Sequence, residues 1–187
     1  MTNSTAPGLV QVYTGNGKGK TTCALGAGLR AAGHGLEVLV ISFMKAKVAI
    51  RGDGVDINYG EFRSVEKVPN FTIKPVGRET FVDKENPDPI DINMAQEGLE
   101  LAREALRNHS CDVLILDEIN VAVEWDLFSI KDQLGLLDMR PSDVEIIMTG
   151  RYAKPEIIEA ADLVTEMREI KHYYNTRKIT ARRGFEF

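Results

Sequence analysis

Between the β-rich run LVQVY (9–13) and an alanine- and glycine-rich stretch of helical spacing (20–32) lies TGNGKGKTT, residues 14–22. A strand that passes through a glycine loop straight into a helix admits few folds, because the helix must carry the chain back to a parallel neighbour. EVLVISFM (37–44) is that neighbour, a nearly continuous apolar run of the kind a strand covered on both faces shows. Residues 91–109 then place Met94, Leu99, Leu101, Ala102, Ala105 and Leu106 among charges, an amphipathic helix despite Gly98. CDVLILDEI (111–119) reads as another buried strand. Ser129 and Asp132 form a capping box for a helix to about Met139, and VEIIMTG (144–150) is a third buried strand. Residues 155–167 give a short helix and a strand, and KITARRGFEF (178–187) alternates like an edge strand. Strands alternating with helices predict an α/β fold with a mainly parallel sheet flanked by helices, one domain over 1–187.

The stretch from Lys45 to Pro89 breaks this pattern with Gly52, Gly54, Gly60, Pro69, Pro75, Gly77, Pro87 and Pro89. Phe62, Phe71, Ile73 and Phe81 spread through it favour a binding loop over a plain linker. Residues 1–8 read as a frayed lead-in without the charged start and apolar run of a signal peptide. No apolar run is long enough to cross a bilayer, so the expectation is a cytoplasmic protein with no membrane partner. A net charge of −5 and a pI near 5.3 argue against nucleic acid as a partner, since neutralising phosphates takes a broad basic surface. Cys23 and Cys111 stand apart from each other and from any metal-ligand spacing, and read as small buried residues.

The glycine loop has a definite chemistry. Backbone N–H groups at a helix start converge on an anion, a lysine neutralises charge, and a Ser/Thr hydroxyl faces Mg²⁺. Gly15, Gly17 and Gly19 supply the turn, Lys20 the charge and Thr21 the hydroxyl, with Thr22 beside it. The spacing is one residue short of G-x-x-x-x-G-K-T, because Thr14 occupies the first glycine position. Asp117 and Glu118 close a buried strand, where the carboxyl edge of the sheet puts them beside the loop to hold a metal directly or through water. These residues predict a nucleoside triphosphate with Mg²⁺ or Mn²⁺, and leave open which bond is broken.

T-G-N-G-K-G-K-T-T, the strand ending L-D-E, M-T-G-R (148–151), A-D-L-V-T-E-M (161–167), K-H (171–172) and the ending G-F-E-F together resemble the ATP:corrinoid adenosyltransferases, the cob(I)yrinic acid a,c-diamide adenosyltransferase family. The resemblance implies a RecA-like P-loop NTPase fold, a homodimer, ATP as co-substrate, a divalent metal, and cob(I)alamin or another Co(I) corrinoid, with an electron-donating reductase as a further partner. The reaction it implies is attack of Co(I) on C5′ of ATP, releasing triphosphate. The nucleotide would lie reversed relative to ordinary P-loop enzymes, with its ribose carbon facing outward.

Such a reaction asks for positioning and charge stabilisation more than for acid–base chemistry. Lys18 and Lys20 are therefore the catalytic candidates, with Asn16 shaping the loop or touching the nucleotide. Arg151 follows a buried strand and is expected either to reach the nucleotide from the sheet edge or to be a surface arginine. His172 is expected at the nucleotide or corrinoid, with a structural role as its alternative. Arg177, Lys178, Arg182 and Arg183 face phosphates, corrinoid side chains or solvent. Relatives carry an aromatic G-x-G-F-x-W segment under the corrinoid, whereas here residues 76–82 read VGRETFV, leaving Phe81 for the lower face or for the core, no tryptophan, and Trp125 too far along the chain to replace it. A phosphoryl-transferring P-loop enzyme such as a small kinase, and a nucleotide-dependent binding module, are the competing functions.

Overall fold

The computed structural model describes residues 7–50 and 56–187. Its centre is a six-stranded sheet in which every pairing is parallel, built from β1 (Val10–Thr14), β2 (Val38–Phe43), β5 (Phe71–Val76), β6 (Val113–Asp117), β7 (Glu145–Thr149) and β8 (Leu163–Glu166) in the order β5-β2-β6-β7-β1-β8. A separate antiparallel pair, β3 (Val48–Ile50) and β4 (Asp56–Asn58), stands outside it. The central strands β2, β6 and β7 are mainly apolar because helices cover both faces, and their alternate residues divide between two cores. Leu114 and Leu116 of β6 join one core with Phe43, Leu99 and Met148, while Val113 and Ile115 join the other with Ala24, Val40 and Phe71.

Helix α1 (Lys20–Gly33) and the short α2 (Gly60–Val65) belong to the second face. The long α3 (Pro89–Arg107), with α4 (Ile119–Glu124), α5 (Ile130–Asp138) and α6 (Pro155–Ala160), covers the first. α3 starts where Asp88 accepts a hydrogen bond from the Ile90 amide and Pro89 presets the first turn. Its Gly98 is a site of close approach: a Cβ there would stand 2.6 Å from Val76 Cγ2 and 2.9 Å from Phe43 Cε1. The capping box of α5 is present as its sequence predicts, with Ser129 and Asp132 bonded reciprocally.

Three expectations are corrected. Residues 45–89 are not a long irregular loop, since they contain β3, β4, α2 and β5, the last a full strand of the main sheet, with Phe62 and Phe71 buried. Residues 51–55 of that stretch lie outside the described residues, as does most of the expected frayed lead-in. The C-terminal stretch 178–187 forms no strand. α7 (Tyr173–Arg177) is followed by a turn in which Glu186 accepts hydrogen bonds from the Arg182 amide and guanidinium and from the Tyr173 hydroxyl, and an alternating pattern cannot show that capture in advance. Cys23 is exposed, while Cys111 is buried, where desolvation pushes its thiol up to about 11. Among the described residues no helix is long and apolar enough to cross a membrane.

Candidate active site

All strands of the sheet point their carboxyl ends the same way, so the segments after β1, β2, β6 and β7 meet at one edge. The glycine loop leaves β1 there. Thr14, where the usual loop has its first glycine, is still strand and pairs with Glu166 of β8. The turn begins one residue later, at Gly15 with φ 94°, and ends at Gly19 with φ 117°, both left-handed values that favour glycine. β8 also holds the loop from outside, because the Met167 amide donates to Thr14 O (2.8 Å) and the Gly17 amide to Met167 O (2.6 Å). The Lys20 ammonium is buried and donates to the carbonyls of Gly15 and Gly17, each at 2.9 Å. Desolvation lowers its pKa.

Thr21 is the next residue of α1, and its hydroxyl donates to Asp117 Oδ1 at 2.7 Å. The same oxygen accepts from the Thr149 hydroxyl (2.7 Å), and Asp117 Oδ2 accepts from the Lys45 ammonium (2.7 Å). Burial would raise the Asp117 pKa, but Lys45 and the two hydroxyls outweigh it and hold the carboxyl below its ordinary value. Glu118 is built differently. Its backbone is left-handed at φ 62°, its amide donates to Thr149 Oγ1, and its carboxylate lines the cavity without a hydrogen bond among the described residues. Burial, then the neighbouring Asp117 charge, push its pKa up.

Two cavities adjoin at this edge. The first, of about 700 Å³, is lined by Lys18, Gly19, Lys20, Thr21, Thr22 and Glu118, with Lys45, Tyr59 and the turn Gly184–Phe187 completing its wall. The second, of about 330 Å³, is mainly apolar, with Phe43, Met44, Phe81, Val82, Val121 and Trp125 beside Arg151 and Tyr152. Lys45, Tyr59 and Glu118 line both. A carboxylate without a hydrogen bond among the described residues and a hydroxyl, both lining one cavity, are a donor set that suits a divalent cation. Glu118 and Thr21 are those donors, and Asp117 orients Thr21.

The structure thus brings Lys18, Lys20, Thr21, Thr22, Asp117 and Glu118 together, and places Arg151 and Phe81 at the neighbouring cavity. Phe81 is 59% exposed where it lines that cavity. Asn16 is exposed on the loop. His172 lines neither cavity; its Nδ1 accepts from the Tyr174 amide as the cap of α7. Lys18 donates to Phe185 O (2.9 Å) and stands 3.6 Å from Glu186. Arg182 turns to Glu186 and lies over the Tyr173 and Phe185 rings, so it faces its own turn and not a phosphate; its hydrogen bonds hold the Glu186 carboxyl at about 2.

Sequence reasoning passes over Lys45 and Tyr59, and sets Trp125 aside as too far along the chain to replace the missing tryptophan. Lys45 carries one legible signal: it follows a buried parallel strand, the same edge position that singles out Asp117. Trp125 is distant from Phe81 in the chain, yet lines the same cavity because α4 returns it to the edge.

Residues 6–187 match the family described as ATP:corrinoid adenosyltransferase BtuR/CobO/CobP. The chain is 34% identical over 191 residues to a corrinoid adenosyltransferase of a Sinorhizobium species, covering 100% of this chain and 83% of that protein. It is 33% identical over 180 residues to the corrinoid adenosyltransferase of Pseudomonas aeruginosa, covering 96% and 84%, and 33% identical over 171 residues to that of Escherichia coli K12, covering 90% and 80%. A KaiC-like protein from the archaeon Pyrococcus horikoshii shares the fold at a TM-score of 0.50 and 17% identity, over 88% of this chain and 75% of that one. That likeness bears on the fold alone, which is RecA-like. With the loop, the acidic strand end and the matched length all agreeing, the chain belongs to the ATP:corrinoid adenosyltransferase family.

Proposed function

We propose that this chain transfers the 5′-deoxyadenosyl group of ATP to the Co(I) centre of a corrinoid, with cob(I)alamin or cob(I)yrinic acid a,c-diamide as substrate, releasing triphosphate. The observation that carries this reading is the pairing of a phosphate cavity with an adjoining apolar one at the same sheet edge. The cobalt electron pair forms the Co–C5′ bond, and the C5′–O5′ pair leaves on the triphosphate, so no proton need move.

Lys20, Lys18, Thr22 and the amides of the loop bind the triphosphate and offset the charge it gains on leaving. Thr21 and Glu118 hold Mg²⁺ or Mn²⁺, with Asp117 fixing the Thr21 hydroxyl. When bound, the metal supplies positive charge to the phosphate oxygens. Phe81 and Trp125 meet the lower face of the corrin ring, which the small cavity receives without enclosing it, and Arg151 meets the nucleotide or a corrinoid side chain from the rim. The substrate arrives reduced, so an electron donor acts before this enzyme. A homodimer is supported by β8, the outermost strand, all four of whose residues are exposed, and by Ile170 beyond it, 96% exposed.

The test is an anaerobic mixture of the protein, Mg-ATP and chemically reduced cob(I)alamin, with the corrinoid spectrum and the phosphate product followed together. Adenosylcobalamin and triphosphate in equal amounts are expected. ADP and phosphate beside an unaltered corrinoid would replace the reading with an ATPase or a kinase, and nucleotide binding without turnover would replace it with a binding module.

A further inference from the structure

Lys45 is the one basic residue that lines both cavities among the described residues. Lys18 and Lys20 belong only to the phosphate side, and Arg151 only to the apolar side. We propose that Lys45 is a catalytic residue that binds the α-phosphate end of the triphosphate and stabilises the oxygen on which the C5′–O5′ electron pair departs; this rests on the adenosyl-transfer reading above.

The geometry of the displacement selects the position. In-line attack requires the nucleophile, C5′ and O5′ to lie along one direction. With the corrinoid in the apolar cavity and the phosphates against the glycine loop, O5′ falls where the two cavities join. The new negative charge appears at that end of the triphosphate and not at the end held deep in the loop. A preformed cation beside a developing oxyanion is an arrangement that lowers the barrier to its formation. Tyr59, the neutral residue at the junction beside Lys45 and Glu118, carries its ring centroid 5.5 Å from the Lys45 ammonium.

The fold invests in this placement. β2 ends at Phe43, paired with Val76 of β5, and Met44 turns through φ 57°, so that Lys45 is redirected to Asp117 across the end of the register pair Ser42 and Asp117. Gly77 makes the turn fit, because a Cβ there would stand 2.5 Å from the Lys45 amide nitrogen. The Lys45 side chain is 15% exposed, and its outlet is into the shared space of the cavities.

The test is Lys45→Met, which keeps length and removes charge. ATP and inorganic tripolyphosphate binding are measured by calorimetry in the wild type and the variant, and kcat and KM for ATP in the cob(I)alamin assay. The expected result is a fall in kcat of about 10²- to 10³-fold, the loss typical of one oxyanion donor. KM for ATP should change by less than about tenfold, and tripolyphosphate affinity should fall more than ATP affinity, because only the free triphosphate carries the extra charge at the Lys45 end. Lys45→Arg should recover part of kcat. An unchanged kcat, or equal losses for the two ligands, would overturn the proposal. If Lys45→Met does not fold, Gly77→Ala displaces the same side chain from behind, with the same selective losses expected and the same equal losses or unchanged kcat counting against it. The wild-type products judge the adenosyl-transfer reading separately: a wild type that makes ADP fails that reading whatever Lys45 does.

Discussion

At Glu118 a left-handed backbone carries a carboxylate that lines the cavity and has no hydrogen bond among the described residues, beside an Asp117 that has collected three donors. The two acids therefore affect stability with opposite signs. Because the folded pKa of Glu118 lies above its unfolded value, its ionisation disfavours the fold, an effect that grows as pH rises from about 4.3 through the folded pKa and stays at neutral pH. Glu118→Gln should raise the melting midpoint at pH 7 by roughly 2–4 °C, the shift that follows about 1 kcal/mol in a domain of this size, while raising the divalent-cation concentration needed for turnover by about tenfold or more. Asp117 is the reverse case. Its folded pKa is depressed, so its stabilisation is complete above about pH 4 and is lost as pH falls through the folded value. Denaturant unfolding between pH 5 and pH 2 should show Asp117→Asn with a flatter acid limb than wild type, over about that window. The residues of the loop and both acids are legible in the sequence because their chemistry is local: three glycines, a lysine and a threonine act within one turn. Lys45 is not, because its meaning comes from the register that sets Ser42 opposite Asp117, a relation between distant segments.

Apolar periodicity marks α1, α3, α5 and the buried strands β2, β6 and β7, because each needs only its own residues to show which faces are covered. β5 escapes the same reading. FTIKPV has Lys74 and Pro75 in it, and Pro75 is tolerated because β5 is an edge strand, paired on one side only with β2. The C-terminal turn escapes too, since Glu186 is held by Tyr173 and Arg182 and by no strand partner. Gly98 shows how an apparent weakness of a helix becomes legible only after packing. Gly98→Ala removes an entropic handicap worth about 1 kcal/mol in an exposed helix, yet its Cβ would press on Val76 and Phe43. The strain should win: urea unfolding is expected to show a net loss of about 1–3 kcal/mol.

For the whole molecule, β8 ends the sheet with its outer edge open and both faces exposed, and bare edges of this kind invite pairing or cover by another surface. Sedimentation velocity should find the wild type as a dimer, and Val164→Lys, which sets a charge on that edge, should shift it to monomer at micromolar concentration. A monomeric wild type would remove the dimer from the functional picture. The strand order has a consequence for how the molecule is made. β1 lies between β7 and β8, so Val10 waits for Ile146 and Gln11 for Leu163. A ribosome emits the glycine loop well before Met167, on which the shape of the loop depends. Nucleotide therefore cannot template the loop before Met167 has been made, and sheet closure with such distant partners is slow.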